Sequence, residues 1–179
     1  MRRTVDLLAA YAADHRDLRN IQTHAVGVPM VALALALLLS RPAAAWGGLL
    51  LSPAAALWTA STVWYLSRSG HRGVALAVSA LNGLLLVLAA PARTASTSAW
   101  LTLSLSCLLL GWALQRLGHF YEGRTPAWRG DGVGLLMAPM FVVAEGLFAL
   151  GWYRGLRQEI ERRVGPASLR DLAHPVGSR

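Results

Sequence analysis

A chain of 179 residues that is 55% hydrophobic, only 15% charged and of mean hydropathy +0.43 carries too few charges for a water-soluble domain of that size, which holds about a quarter. The net charge of +8 comes from arginine alone, with no lysine, and these arginines flank apolar stretches instead of forming a stripe with interleaved aromatics. That argues against nucleic acid and for contact with anionic lipid headgroups.

Residues 1–20 read as an amphipathic surface helix with Val5, Leu7, Leu8 and Tyr11 on its apolar side. They do not read as a secretory signal, because Asp6, Asp14, His15, Arg16, Asp17 and Arg19 precede any apolar run. Apolar spans are then predicted near 22–40, 44–66, 73–90 and 98–118. The stretches 44–66, 73–90 and 98–114 hold 23, 18 and 17 residues without a charge, close to the roughly 18 to 20 that cross a hydrocarbon core as helix. The first span reaches that length only if its helix starts near Ile21 and takes in His24. A polar loop follows at 119–131, then a fifth apolar segment at 132–153 and a charged tail that is helical to Val164 and loose after Gly165-Pro166. The single cysteine, Cys107, sits inside the fourth span, so there is no disulfide framework and the thiol reads as packing. The expectation is an all-α polytopic membrane protein: four to five transmembrane helices plus an N-terminal amphipathic helix. Residues 1–164 form a single helical membrane domain and 165–179 a polar tail.

With alternating spans, Arg2, Arg3, Arg16, Arg19, Arg68, Arg72, Arg124 and Arg129 share one side, and only Arg41 and Arg93 lie opposite. The positive-inside rule makes the arginine-rich side cytoplasmic. The fifth segment contains Pro139 and Glu145, and a full crossing would carry Arg154, Arg157, Arg162 and Arg163 outward. It is therefore expected to be re-entrant or tilted, with the tail returning inside.

Of the five histidines, His71 lies in a short loop and His174 in the tail, both as solvated bystanders. His15 and His24 precede the first span and His119 follows the fourth, so an even number of crossings brings all three to one face. Tyr11 and His15 are four apart, as are Asn20 and His24, and each pair shares a helix face. His15 and His24, nine apart, converge only if the chain turns between Asp17 and Asn20. Gln115, His119 and Glu122 follow an i, i+4, i+7 stripe. Neutral imidazole is a common metal ligand whose second nitrogen needs an oxygen partner, and Asn20, Gln115 and Glu122 are suitable. Spacing leaves two readings open: one metal site, or three interfacial histidines hydrogen-bonded to loops. Glu145, an ionisable group in an apolar segment, is functional by default. It either forms a buried pair with Arg124 or orients a ligand histidine.

Three blocks resemble the 2-hydroxy fatty acid dioxygenase (Mpo-like) family, small multi-span proteins. They are Tyr11-x3-His15-x4-Asn20-x3-His24-x2-Gly27-Val28-Pro29, then Gln115-x2-Gly118-His119-x2-Glu122-Gly123-Arg124-x-Pro126-Ala127, then Ala138-Pro139-x-Phe141-x3-Glu145. Trp128 stands where the family usually has leucine. The resemblance implies an Fe(II)-dependent oxygenase of fatty acid α-oxidation that cleaves a 2-hydroxy fatty acid with O2 to an acid one carbon shorter. His15, His24 and His119 would hold the iron, with Tyr11, Asn20, Gln115, Glu122 and Glu145 around them and Arg124 binding substrate. Glu122 is the reserve ligand, with a supporting role favoured. Three histidines on an octahedral iron leave two positions for a chelating 2-hydroxy carboxylate and one for O2. The expected partners are that substrate, O2 and membrane lipid. The expected location is a bacterial inner membrane, with the metal site on the cytoplasmic side. The alternative is a non-catalytic metal- or lipid-binding membrane protein. Five histidines are too few for a histidine-rich di-iron hydroxylase, and no Gly-x-Ser-x-Gly elbow points to a serine protease.

Overall fold

Chain direction changes first at residues 13–17, between helix α1 (Thr4–Ala12) and helix α2 (Leu18–Ser40). The computed structural model describes residues 3–47, 49–68, 70–123 and 133–172. The break comes earlier than the expected interval of Asp17 to Asn20. Asp17 is the N-cap that begins α2, its carboxylate accepting from the Arg19 amide at 2.8 Å, the usual way to satisfy an orphan helix donor.

The 23 residues of α2 make a rod of about 34 Å. Helix α5 (Thr97–Glu122) runs antiparallel along it. At one end the Trp100 indole donates to the Leu37 carbonyl at 2.9 Å; at the other, Gly118 faces Asn20, Thr23 and His24. Between them Gly27 and Gly111 meet so closely that a Cβ on either would sit 2.7 Å from the carbonyl oxygen of the other. Small residues let helix backbones approach in a medium where apolar burial alone gives no preference. This close approach sets His24 and His119 at one level. A Cβ on Gly118 would fall 2.3 Å from Thr23 Oγ1 and 2.4 Å from Asn20 Oδ1. Gly118→Ala is therefore expected to destabilise the protein by about 1–3 kcal/mol, read as a lower melting temperature in detergent.

The expected second span divides in two. Strands β1 (Ala44–Trp46) and β2 (Leu49–Leu51) pair antiparallel across a turn in which Gly47 has φ +55°. Helix α3 (Pro53–Leu66) starts only after them, with Ser52 as N-cap and Pro53 in its first turn. At 14 residues it is about 21 Å long, short of a full hydrocarbon core. The ribbon and helix together still return the chain from the Leu37 end, where Ala89 and Ala92 are buried against it, to the opposite end, where Gly70 sits beside Thr4. Helix α4 (Arg72–Leu88) and a 3-10 turn (Ala90–Arg93) cross back. Trp58 donates to the Ser79 carbonyl at 2.9 Å and joins α3 to α4.

Among the described residues, three helical stretches are long and apolar enough to cross a membrane: α2, Arg72–Arg93 and α5. Large side chains on two of them face outward, Val87 at 68% and Leu109 at 63% exposure, as suits lipid rather than water. Helix α6 (Val133–Ala149) and helix α7 (Arg154–Val164) are bent by 116°. Both ends of this segment are anchored on the same turn. Glu122, before it, binds the Arg16 and Asp17 amides, and Ser168, after it, pairs with the strand-like backbone at Asp17. Both ends of the segment therefore lie at the same end of the bundle, beside the 13–17 turn. The main core lies at that face, where Leu7, Leu8, Val78, Met140, Phe141, Phe148, Leu156 and Ile160 from α1, α4, α6 and α7 are buried together.

Residues 168–170 are docked, not loose, beyond Gly165-Pro166. The Ser168 amide donates to the Arg16 carbonyl at 2.9 Å and the Leu18 amide to the Ser168 carbonyl at 3.1 Å. The Arg170 amide donates to Asp17 at 2.9 Å, and Arg19 donates to the Arg170 carbonyl at 2.7 Å. The backbone of 16–18 has unused donors and acceptors, and the tail supplies their partners.

Candidate metal centre

His15 stands in the turn after α1, His24 in the second turn of α2, and His119 in the last turn of α5. Their rings gather with centroids 4.7, 5.0 and 5.1 Å apart, each pair edge-on. One nitrogen from each lies within 4.8 Å of the other two, and all three residues are buried. His15 Nδ1 donates to the Tyr11 carbonyl at 2.8 Å and His24 Nδ1 to the Asn20 carbonyl at 3.0 Å, both across one helical turn. Those bonds fix the tautomer and leave each Nε2 with a lone pair. His15 Nε2 and His119 Nδ1 are buried without a hydrogen-bond partner among the described residues. Buried polar atoms are rarely left so, and two of them in one cluster of imidazoles are the donors that a metal ion would use. The set therefore fits a metal, and nitrogen donors suit iron, zinc or copper better than magnesium or calcium.

Electrostatics agree. Burial pushes the His15 imidazole down to about 4, so it is neutral and ligand-competent at ordinary pH. Tyr11 stacks flat on His15, centroids 4.2 Å apart and planes 8° apart, and Phe141 tilts against both rings at 5.1 and 5.5 Å. Burial raises the Tyr11 hydroxyl above its ordinary value, which keeps it protonated.

Glu122 is turned to the turn rather than to the imidazoles. Its carboxylate accepts from the Arg16 amide at 3.1 and 3.0 Å, the Asp17 amide at 2.9 Å and Asn20 Nδ2 at 3.0 Å. Since the Asn20 carbonyl holds His24, a chain of contacts joins the end of α5 to two of the imidazoles. Glu122→Gln retains one acceptor oxygen and loses the charge. A loss of about 1–3 kcal/mol is expected, since charge-assisted bonds to two amides are weakened, with faster metal loss to a chelator as the second readout.

The other candidates are distributed unevenly. Gln115 lies one turn before His119 with its stem against Gly27, and makes no hydrogen bond to an imidazole among the described residues. Glu145 meets Arg16, Oε1 to Nη2 at 3.7 Å, both side chains largely buried. Arg16 in turn donates through Nε to the Ala12 and His15 carbonyls at 2.8 and 3.0 Å and through Nη1 to Gly165 at 3.0 Å. Among the described residues, Glu145 therefore reaches His15 through Arg16. Arg124, the expected partner of Glu145, lies outside the described residues, as do Pro126, Ala127 and His174. His71 is near Tyr153, at 6.1 Å between centroids, at the start of α4 and apart from the cluster.

Sequence reasoning missed Arg16 and Asp17 as organisers of the turn. Asp17 was findable: an aspartate directly before an apolar-periodic run is an N-cap signal. Its carboxylate is held down to about 2, chiefly by the Arg19 guanidinium. Arg16 carries no local signal, because its partners are 129 residues or more away in the chain at Glu145 and Gly165, or are backbone carbonyls.

No curated protein and no solved structure matches this chain. Residues 1–150, which include the three histidines, Glu122 and Glu145, match the family model described as 2-hydroxy-palmitic acid dioxygenase Mpo1-like, and the chain belongs to that family.

Proposed function

We propose that this protein is an iron-dependent dioxygenase of fatty acid α-oxidation, converting a 2-hydroxy fatty acid and O2 to the acid one carbon shorter. The observation that carries the reading is the trio of buried imidazoles gathered within reach of one ion, with His15 Nε2 and His119 Nδ1 lacking a hydrogen-bond partner among the described residues. With O2 as the oxidant, the balance of atoms makes carbon dioxide and water the other products. His15, His24 and His119 would hold the ion. Fe(II) would supply O2 activation and a Lewis-acid site for the hydroxyl and carboxylate of the substrate.

The remaining work falls to the chain. The Tyr11 and Asn20 carbonyls hold two imidazoles in the ligating tautomer. Glu122 fixes the turn that presents His15. Tyr11 and Phe141 wall the cluster against water. Apolar helix faces beside the cluster accept the acyl tail, each methylene contributing about 0.8 kcal/mol relative to water. The arginine distribution supports a site on the cytoplasmic side; the location that goes with it is a bacterial inner membrane, where a substrate has a wet headgroup and a tail in lipid.

The test is anaerobic purification, metal analysis and incubation of the iron-loaded protein with a long-chain 2-hydroxy acid. About one iron per chain is expected for a single three-histidine site, with O2 uptake matched by shortened acid. Bound metal with no O2 uptake would favour a non-catalytic metal-binding membrane protein.

A further inference from the structure

The bend between α6 and α7 forms a second concavity, lined by none of the three imidazoles and lying at the end of the stretch that matches the family. Gly151 at φ +80° and Tyr153 at φ +53° turn the chain there, and the hollow inside the elbow measures about 350 Å3. Its two walls differ in chemistry. Phe148 and Trp152 form an apolar side, and Arg154, Arg157, Gln158 and Glu161 a polar one. Leu150 and Trp152 at the tip are 70% and 60% exposed, a large apolar surface to leave in water. Exposed tryptophan beside exposed arginine is the usual arrangement at the level of lipid headgroups.

The charges at the elbow are not balanced. Arg154 donates to the Gly151 carbonyl at 3.2 Å and has no carboxylate partner among the described residues. Arg157 is held by Glu161 at 2.8 Å, yet 54% of its side chain remains exposed. The first turn of α7 has no acidic residue. With Glu161 offsetting one arginine, the polar wall keeps an excess positive charge, and an anion there meets the exposed guanidinium edges while an attached hydrocarbon follows Phe148, Trp152 and Leu150.

We infer that the α6–α7 elbow is a binding site for the headgroup of an anionic phospholipid, its phosphate on Arg154 and Arg157 and its acyl chains along Trp152 and Leu150. Bound lipid would fasten α7 to the bilayer surface. Through the Arg163–Asp6 ion pair at 2.8 Å, α7 is tied to the helix that leads into the histidine turn.

The experiment is native mass spectrometry of the full chain in detergent, titrated with phosphatidylglycerol or phosphatidylcholine of identical acyl chains. Wild type should retain one phosphatidylglycerol at about tenfold lower concentration than phosphatidylcholine, in line with two arginines at a lipid surface. Arg154→Gln with Arg157→Gln should erase that preference. Arg154→Lys with Arg157→Lys should keep most of it, and Arg93→Gln, at the opposite end of the bundle, should keep all of it. Equal retention of the two lipids by wild type would overturn the assignment, as would an unchanged preference in the double glutamine variant. Displacement of the lipid by inorganic phosphate would also overturn it, since the site would then be one for free anions. Iron content has no part in this readout, so its outcome is independent of the oxygenase reading.

Discussion

His119→Ala is expected to abolish metal retention, and His15→Ala and His24→Ala to do the same, while His71→Ala keeps the wild-type metal content. Loss of a partner one shell removed from a metal weakens binding by about 10- to 100-fold; loss of one of three direct ligands should exceed that. The three residues come from three separate places, a turn and two helices, and their inward nitrogens lie within 4.8 Å of one another. Removing one leaves two donors that cannot close a facial set. Each alanine gives up ring packing, and at His15 and His24 the bond to the Tyr11 or Asn20 carbonyl, so a lower melting temperature is expected beside the metal loss. Metal content is therefore measured on the folded protein, and metal should be lost only from the three cluster variants. A His119→Ala protein that purifies with its full metal complement would refute the three-imidazole centre.

How far the sequence predicts this centre depends on the kind of interaction. The even number of passes along the bundle between His24 and His119 was legible, because long uncharged runs announce themselves in composition alone. So was the shared face of Asn20 and His24, which follows from the period of a helix. The ribbon at 44–51 was not separated from a helix, since an apolar run reads the same in either form. The adjacent glycines at 47 and 48 were the one available turn signal. The tail docking had no signal at all. Ser168 and Asp17 meet through backbone groups, which every residue possesses, so no side-chain pattern marks the contact. Likewise the Arg16–Glu145 pair closes a loop of 129 residues, and any arginine on that face was an equally good sequence candidate.

The roles of the carboxylates follow from the same distinction. Glu122 lies one helical turn from His119, so spacing makes it a candidate ligand. Its neighbours across the turn decide otherwise: two backbone amides and the Asn20 amide converge on it. These donors are the ends of α2 and of the 13–17 turn, whose amides have no helical partner of their own. The carboxylate thus locks the relation of His15 to His24. Three protein nitrogens, with Glu122 occupied elsewhere, leave more open positions at an octahedral ion than a fully protein-ligated structural metal would have.

That openness leads to the second large effect, in the choice of substrate. Turnover is expected only for acids bearing both a carboxylate and a hydroxyl on carbon 2. Such a pair reaches a common centre through a five-membered ring and uses the positions that the three imidazoles leave. An unsubstituted fatty acid offers the carboxylate alone. A 3-hydroxy acid closes a six-membered ring and moves the bond between carbons 1 and 2, the bond that breaks, relative to O2. Displacements of about 1 Å from reactive geometry cost on the order of 100-fold in rate, so both alternatives should fall below the 2-hydroxy acid by at least that factor. Within the 2-hydroxy series, longer chains should have lower KM over the range of lengths soluble in water, because each methylene buried adds about 0.8 kcal/mol. The assay offers matched 2-hydroxy, 3-hydroxy and unsubstituted acids to the iron-loaded protein and records O2 uptake beside the shortened acid. Equal turnover of all three would mean that the hydroxyl is not bound at the imidazole centre, and the reaction assigned to it would have to be abandoned.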